Sequence, residues 1–473
     1  MRTPFALLAC AALGCNTSAP VLLPPPFGPT AAPTPYRLYF PTGLAVTKDQ
    51  SPLLLVANGD FDHAFDASTL VALDTAYLGT LFDQQLDCSH TLYGAPAKTG
   101  CDIDVLQNQQ AFLGAAMIGN YAGPLALYEP ASGGTTAFLA ARDTNLLDAV
   151  SVRAPGKPLL SCRNHDGMDC RDGVQDLLAS ATLEGPYAVV IGDVVAPGST
   201  VHQDALFVGE LVPHIDQVGG TTLTHSNVAV IDAANPTAPP LFTMAVSDFS
   251  VTAGSGIGPL VFDRVRRQLY AGGCYTRYPN PSQGAPLSAK CAGATTNYLR
   301  ELGPDAGASA GLRTVSISEQ IRSTDTSDLA LGEVDPATGA HTLYATVRNP
   351  DALLTISIPD DPTREAQVLR ATPLPVSPGA MLRIARPGLG DLLLISATKI
   401  GVVDVFDVAQ DQVVGQIARL GDTPFAMARL PSPGNVARAA VSVFGDCRIG
   451  LLEVPLDKPW NATLRARVGA CPP

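Results

Sequence analysis

The sequence predicts an all-β protein, a single β-propeller of seven blades with long loops stapled by disulfides. Three observations lead to this prediction. A unit of short apolar strands and turns recurs from Tyr36 onward, 43 Gly and 41 Pro supply the turns, and eight Cys beyond Cys15 fall in close pairs. Strands this short and apolar need neighbours on both faces, and a closed ring of sheets provides them.

The N-terminus has the layout of a bacterial lipoprotein signal peptide, residues 1–14, followed by the lipid-accepting Cys15. Arg2 supplies the charge, positions 5–13 are apolar, and Gly14 is the small residue before the cut. The apolar run is about ten residues, short of the roughly 20 that a spanning helix needs. Cys10 offers a rival cut site with a much shorter apolar region. An ordinary secretory signal with an incidental Cys is the alternative.

Residues 15–35 are expected to form a tether behind the lipid. Positions 16–35 hold seven prolines and favour neither a helix nor a strand. At about 3.1 Å per residue, an extended segment of this kind could hold the folded domain, residues 36–473, up to about 60 Å from the bilayer.

Eight cysteines remain once Cys10 leaves with the signal and Cys15 takes the lipid, and they predict four local disulfides. Neighbour pairing requires the least rearrangement of the chain, although sequence alone leaves the connectivity open. Oxidative export would allow such bridges to form and to stabilise the fold. The expected pairs are Cys88 with Cys101, Cys162 with Cys170, Cys274 with Cys291, and Cys447 with Cys471.

Each repeat is read as three strands joined by turns, opened by Pro or Gly and often closed by Asp. The second unit lacks a clear opening strand, which is placed somewhere in 112–128. The seven units comprise 41–46, 53–58 and 69–74; 136–141 and 148–152; 187–191, 205–208 and 227–232; 258–263, 268–271 and 312–317; 329–331, 342–347 and 353–358; 380–384, 392–396 and 402–407; and 424–428, 440–444 and 450–454.

The spacing of the repeats favours a propeller over a pair of β-sandwiches. The later units lie about 45 to 50 residues apart, the period of a propeller blade. One pattern also persists along the chain, with no second linker after Pro35. The longer insertion from Cys274 to Gly311 is expected to loop out and to contain a short helix near 296–302.

Two segments resemble the YVTN-type propeller repeats of bacterial surface and exported proteins. They are 56–62 followed by 69–74, reading Val-Ala-Asn-Gly-Asp-Phe-Asp and Thr-Leu-Val-Ala-Leu-Asp, and 227–232, reading Asn-Val-Ala-Val-Ile-Asp. The mature chain looks like the uncharacterised propeller lipoproteins of high-GC Gram-negative bacteria. The resemblance implies a lipid-anchored propeller and carries over no catalytic residue, because these motifs are strand and turn residues.

Composition excludes several classes of function. The net charge of -13 without a basic run argues against nucleic acid, which requires clustered Lys and Arg. No Cys-x-x-Cys or His-Glu-x-x-His motif occurs. The glycines at 254, 256 and 258 are followed by Pro259 and a strand, where a phosphate-binding loop would need a helix. No cofactor is therefore expected.

Metal sites have weak support. His214, Asp216 and His225 share one long turn and are the candidate zinc ligands, although a further convincing ligand is missing. Asp166, Asp169 and Asp172 could gather around calcium, but a solvated loop between Cys162 and Cys170 explains them as well.

The turns that join the second and third strand of each unit form the candidate binding face. Such turns lie side by side on one face of a propeller, and loops on a rigid scaffold often carry binding sites. Plain hydrophilic turns are an equally good explanation of their polarity. The residues chosen for this face are Asp60, Arg142, Asp143, Arg348, Asp351, Lys399, Asp446 and Arg448.

The function predicted is that of a lipid-anchored envelope protein, a non-enzymatic binding or scaffold module that recognises a protein or a glycan. The alternative is a propeller hydrolase or lactonase that uses a metal or carboxylates near the central channel. The lack of a convergent His and carboxylate set across several turns favours binding. Asn16 follows Cys15 where Asp often signals inner-membrane retention, so the expected location is the outer membrane.

Overall fold

The computed structural model is a single all-β propeller. It describes residues 22–27, 36–62, 64–84, 86, 88, 101–103, 109–212, 214–218, 221–245, 254–276, 297–302, 313–315, 325–348, 350–361, 364, 366–469 and 471. The described strands form seven sheets of four or five strands, antiparallel except for one parallel pair at an edge, and one separate two-stranded hairpin.

The first three sheets cover the N-terminal half of the domain. The first contains β1 (Pro41–Val46), β2 (Leu53–Asn58), β3 (Ser68–Asp74) and β5 (Phe112–Ile118). The second contains β6 (Ala122–Tyr128), β7 (Thr135–Ala141), β8 (Leu146–Val152), β9 (Leu160–Cys162) and β10 (Gln175–Asp176). The third contains β11 (Pro186–Val195), β12 (His202–Glu210), β15 (Asn227–Asp232) and β16 (Phe242–Ala245), and the hairpin of β13 (His214–Val218) and β14 (Thr221–His225) extends between β12 and β15.

Four further sheets complete the ring. They contain β17 (Gly254–Asp263), β18 (Gln268–Thr276), β19 (Asn297–Leu302) and β20 (Arg313–Val315); β21 (Asp325–Val334), β22 (His341–Arg348), β23 (Ala352–Ile358) and β24 (Gln367–Pro373); and β25 (Pro378–Ile384), β26 (Leu392–Ala397), β27 (Val402–Asp407) and β28 (Gln412–Ile417). The last contains β29 (Pro424–Leu430), β30 (Val436–Val443), β31 (Arg448–Pro455), β32 (Thr463–Val468) and, at its edge, β4 (Asp102–Ile103).

The first strand of each sheet lies at the centre of the ring. β1 packs against β6, β6 against β11, β11 against β17, and so on through β21 and β25 to β29, which returns to β1. The second strands are the most deeply buried: all six residues of β2 and of β26 are inaccessible or nearly so. Apolar side chains on both faces of these strands form the core between neighbouring blades, as the continuous apolar runs in the sequence require.

A strand from the insertion of the first blade adds to the outer edge of the last blade. β4 lies in the segment between β3 and β5, yet it pairs in parallel with β32 of the last blade. The N–H groups of Arg467 and Gly469 donate to the carbonyls of Cys101 and Ile103, at 2.9 and 3.1 Å. One hydrophobic cluster joins Leu44 and Val71 to Leu451 and Val468, so the first and last blades share a core.

The predicted three-strand blade is wrong, because the repeating unit has four strands. The opening strand of the second unit, expected somewhere in 112–128, is β6, and β5 in the same stretch ends the first blade. In the fourth blade, residues 313–315 form the fourth strand, and the third is β19, where a helix was expected. Outer strands such as β24 and β28 are largely exposed and mix polar with apolar residues, so they lack the continuous apolar run that identified the inner three.

Aspartates at strand ends have a structural role. The Oδ1 atoms of Asp232, Asp263 and Asp407 each accept the N–H of the residue two positions later, at 2.9 to 3.0 Å. This is the Asx-turn, which reverses the chain after a strand. Asp74 and Asp176 cap α1 (Thr75–Asp83) and α2 (Leu177–Ala181) by accepting the N–H of Ala76 and of Ala179, respectively.

Three of the four predicted disulfides are present: Cys88–Cys101, Cys162–Cys170 and Cys447–Cys471. Cys274 lies on β18, and its predicted partner Cys291 lies outside the described residues, as does Cys15.

Part of the predicted tether contacts the domain. The N–H of Leu22 donates to Oδ2 of Asp66 at 2.7 Å, and the N–H of Asp66 donates to the Leu22 carbonyl at 2.9 Å. Phe27 packs against the cluster shared by the first and last blades. Residues 22–27 therefore lie against the first blade.

Candidate functional site

A cavity of about 350 Å³ lies at the centre of the ring. All seven innermost strands contribute to its wall. It lies toward the N-terminal ends of these strands, and Arg348 and Thr398, at the ends of second strands, also line it. Because the second strands run antiparallel to the first, this is the end of the channel at which the second strand turns into the third. The cavity and the candidate binding face are therefore on the same side of the ring.

The cavity is built from a bulge repeated in every innermost strand. Near the start of each one, its pairing with the second strand slips by one residue; the slips fall within 41–43, 122–125, 186–188, 257–260, 326–328, 378–381 and 424–427. The extra residue of a bulge is released from the ladder and its side chain is re-aimed. Each of these intervals supplies residues to the cavity wall, among them Thr42, Pro124, Tyr187, Pro259, Ser327, Gly379 and Phe425.

Proline and glycine fit this position for physical reasons. The innermost strand is a free sheet edge, where a proline sacrifices no ladder hydrogen bond. Glycine permits close contact between blades: a Cβ on Gly43 would lie 2.7 Å from the carbonyl oxygen of Gly123. The Pro or Gly that opens most of the repeats is a residue type that suits the bulge; β21, with Thr326, Ser327 and Asp328 there, is the exception.

Asp328 is the carboxylate in the cavity wall. Its Oδ1 accepts the N–H of Leu329 at 2.8 Å and its Oδ2 accepts the N–H of Met381 at 2.6 Å, so the group is fixed in orientation. Burial raises the pKa of Asp328 to about 6, and the two N–H bonds partly oppose that rise. At the matching point after the bulge, other innermost strands carry Leu125, Leu260 and Met427.

Arg348 and Tyr187 complete the polar part of the wall. The Nε of Arg348 donates to the Pro378 carbonyl at 2.9 Å. Burial raises the pKa of Tyr187 to about 12; Arg142 and Arg348 lower it, and Asp328 raises it. Tyr187 therefore lies within electrostatic range of both charged groups of the cavity.

An aromatic cluster lies beside the cavity on the same face. It consists of Phe40, Phe61, Tyr121, Phe425 and Phe444, all of them partly exposed. Phe444 contacts Phe40, Phe61 and Phe425 with ring centroids 5.0, 5.1 and 5.9 Å apart, and Phe61 meets Tyr121 edge-on at 4.8 Å. Phe425 also lines the cavity, so the two features are continuous.

Arg142 lies over this cluster. Its guanidinium carbon is 5.2 Å from the Tyr121 ring centroid and 5.9 Å from that of Phe61, within cation–π distance. This placement leaves a positive charge at the edge of an aromatic surface.

The other residues predicted for the candidate binding face divide into two groups. Several hold the fold together. Asp351 and Asp446 accept the N–H groups of Ser377 and Asp422, at 3.0 and 3.1 Å, where the chain enters a blade. Glu210 and Asn145 accept in the same way from Glu184 and Gly185.

Asp60 and Arg448 also make internal contacts. Asp60 is buried and accepts the N–H of Phe65 at 3.2 Å, and Arg448 donates to the Gly469 carbonyl at 3.1 Å. Asp143 and Lys399 are exposed. Much of the polarity of these turns therefore serves to fix the chain, and Arg142, Asp143, Arg348 and Lys399 are the better placed for a partner.

The three candidate zinc ligands lie on the β13–β14 hairpin, where the structure gives their strand pairing. His214 and His225 are paired opposite each other across the β13–β14 hairpin, and Asp216 is paired with Leu223. Within the described ranges, no group of three or more His, Cys, Asp or Glu residues could hold a metal ion. In the loop closed by Cys162 and Cys170, the carboxylates pair with this chain's own cations: Asp166 with Lys157 and Asp169 with Arg171.

Sequence reasoning missed Asp328, Tyr187 and the aromatic cluster. A signal for Asp328 exists in the aligned openings of the repeats: among the seven innermost strands, only β21 has an acidic residue at the first paired position after its bulge. The aromatic residues come from four separate turns and connections and one strand, and only the closed ring brings them together.

The fold is shared with known propellers. The structure is similar to Kuenenia stuttgartiensis hydrazine synthase, with a TM-score of 0.52 and 10% identity over 90% of this chain and 99% of that chain. The β-propeller domain of Myceliophteria thermophila Cps50 (Swd1) matches with a TM-score of 0.46 and 10% identity, covering 88% of this chain and 98% of that one. The structural match to hydrazine synthase concerns the fold alone, because 10% identity implies no shared activity. No protein-family model and no curated protein sequence matches the chain.

In the part of the chain that the structure describes, no helix is long and apolar enough to cross a membrane.

Proposed function

We propose that this chain is a lipid-anchored protein of the bacterial envelope, related to the YVTN-type propeller lipoproteins, that binds a protein or glycan partner without catalysing a reaction. The candidate binding face makes the contact. Cys15 carries the lipid, and the outer membrane is the expected location.

One observation supports this proposal above the others: Phe425 joins the cavity to the aromatic cluster on a single face. Partly exposed aromatic side chains, a nearby Arg and a concave pocket are features enriched at binding surfaces. The opposite face offers a contrast, because Lys48 and Asp49 there pair with Glu129 and Arg153.

Capture from envelope extract tests the proposal. Lys399→Glu and Arg142→Glu change the charge of the candidate binding face, and Lys48→Glu makes the same reversal at an exposed lysine of the opposite face. The first two variants are expected to reduce capture of the partner by the immobilised domain, and the third to leave it intact. The melting temperatures of the Lys399→Glu and Lys48→Glu variants should change little, because exposed substitutions usually alter stability by within about 0.5 kcal/mol. Arg142→Glu should lower the melting temperature somewhat more, because it also removes the contacts with Tyr121 and Phe61.

Equal loss of capture from both faces would contradict the choice of face. Turnover of a lactone or ester by the purified protein, dependent on a bound metal, would contradict the non-enzymatic assignment.

A further inference from the structure

The central cavity has a polar side and an apolar side. Asp328 and Arg348 come from the fifth blade and Tyr187 from the third, whereas Leu44, Leu125 and Phe425 line it from the first, second and last blades. A volume of about 350 Å³ is within the range of small-ligand sites, which are mostly apolar with a few fixed polar groups. A ligand that fills this cavity needs one polar edge and one apolar face.

The fold does not require a carboxylate at position 328. The matching positions of other blades hold Leu125, Leu260 and Met427, so an apolar side chain is compatible with the fold at this position. Burying a carboxylate is costly unless a partner compensates for the lost water. Two backbone N–H groups occupy part of the acceptor capacity of Asp328, and an ionised carboxylate can accept roughly four hydrogen bonds. The remaining capacity is available to a donor in the cavity.

The charges of the cavity select against a simple ion. Among the described residues that line it, Asp328 and Arg348 are the charged ones, and their formal charges cancel. Arg348 would repel a cation that is attracted to Asp328, and Asp328 would repel an anion that is attracted to Arg348. Neighbouring hydroxyl groups satisfy both residues at once, because each hydroxyl can donate to the carboxylate and accept from the guanidinium.

We propose that the cavity binds the terminal ring of a neutral saccharide, with its hydroxyl edge on Asp328 and Arg348 and its C–H face toward Phe425 and Leu44. This inference rests on the proposed function and names a glycan as the partner of the candidate binding face. Asp328 is the residue that determines specificity. The aromatic cluster beside the cavity extends the contact to the next part of the glycan.

Isothermal titration calorimetry with methyl glycosides of glucose, galactose and mannose, and with N-acetylglucosamine, tests the inference. At least one of these probes is expected to bind, and Asp328→Asn should weaken it by about 10- to 100-fold, as expected for loss of hydrogen bonds to a charged group. Binding to the native domain should weaken from pH 7.5 to pH 5 as Asp328 is protonated, and Asp328→Asn should lose this pH dependence. Arg348→Met provides a second variant should Asp328→Asn fold poorly.

Asp404→Asn is the matched control. Asp404 is also a buried carboxylate whose pKa is raised by burial, but it lies on β27 and bonds to Gln416 outside the cavity wall. Its variant should bind the saccharide as the native protein does.

Undiminished saccharide binding by Asp328→Asn would overturn the inference. So would competition by methylammonium or a free amino acid that depends on Asp328, since that would identify an ionic ligand. If none of the four saccharides binds while the face variants still alter partner capture, this inference fails and the proposed function stands. If capture by the face also fails, both are wrong.

Discussion

Arg467 donates two hydrogen bonds to the carboxylate of Asp102, from Nε to Oδ1 at 2.6 Å and from Nη2 to Oδ2 at 2.8 Å. The two residues are 365 positions apart and belong to the paired strands β32 and β4. Arg448 adds a longer contact to the same carboxylate at 3.7 Å. This bidentate pair holds the insertion of the first blade on the outer edge of the last blade, so it links the two ends of the ring.

Breaking this pair should destabilise the propeller. Asp102→Asn and Arg467→Met are each expected to lower the free energy of unfolding by about 3 kcal/mol, because both side chains are largely buried and removal of one leaves the other uncompensated. Urea unfolding measures the effect. Arg153→Met breaks the exposed pair with Asp49 and should cost about 1 kcal/mol or less. Equal small losses at both sites would show that the β4 contact does not secure the ring.

Stability should fall as the pH rises from about 4 to about 8. Burial raises the pKa of Asp148 from 3.8 to about 8 and that of Glu210 from 4.5 to about 8, and nearby Asp172 and Asp169 add to the rise at Asp148. A raised pKa in the folded state means that the stability is fully present below the unfolded pKa and is lost as pH rises through the folded one.

Asp148→Asn tests this expectation, since an amide resembles the protonated acid. The N–H of Gly119 can still donate to the amide oxygen as it does to Oδ2, at 2.8 Å in the native chain. The variant should flatten the dependence of the unfolding free energy on pH and exceed the native stability at pH 8. Asp143→Asn, at an exposed position, should leave the profile unchanged. A native profile that rises from pH 4 to 8 would refute the prediction.

Non-reducing peptide mapping should recover Cys88–Cys101, Cys162–Cys170 and Cys447–Cys471 from exported protein. The pairing of Cys274 with Cys291 stays a prediction, and the same map decides it. Free thiols at these eight positions would contradict the disulfide framework.

The fold was largely readable from the sequence because its signal is local. Inner strands such as β2 and β26 are continuous apolar runs, and Pro or Gly opens most repeats where an innermost strand has its bulge. The outer strands were missed because apolar residues such as Leu369 and Val413 are exposed on them, and their apolar and polar residues do not alternate in the way that indicates a buried face.

The candidate site was only partly readable. The face was chosen from the polarity of its turns, but Asp351 and Asp446 turn out to fix the backbone at the entrances to blades. Asp328 and the aromatic cluster depend on contacts among residues far apart in sequence. The sequence alone does not distinguish a polar turn residue that bonds to the backbone, as Asp351 and Asp446 do, from one that is solvated.

The last prediction concerns how the domain faces the membrane. Seven positions separate Cys15 from Leu22 (22 − 15 = 7), and Leu22 bonds to Asp66 in the turn between β2 and β3. At roughly 3.6 Å per residue, such a stretch reaches about 25 Å at most when fully extended, so the first-blade part of the candidate binding face should lie close to the bilayer that Cys15 anchors to. Energy transfer from a fluorophore at Asp143, on this face, to a lipid-phase acceptor should exceed that from one at Lys157, in the turn between β8 and β9 on the opposite face.

Asp66→Ala removes the acceptor of the Leu22 N–H and should lower the transfer from Asp143, because more of the proline-rich segment becomes free to extend. Cys15→Ala should abolish transfer from both positions and leave the melting temperature unchanged. Equal transfer from both labels in the native protein would show that the contact with Asp66 does not orient the domain, and retention of the Cys15→Ala protein in the membrane fraction would contradict lipidation at Cys15.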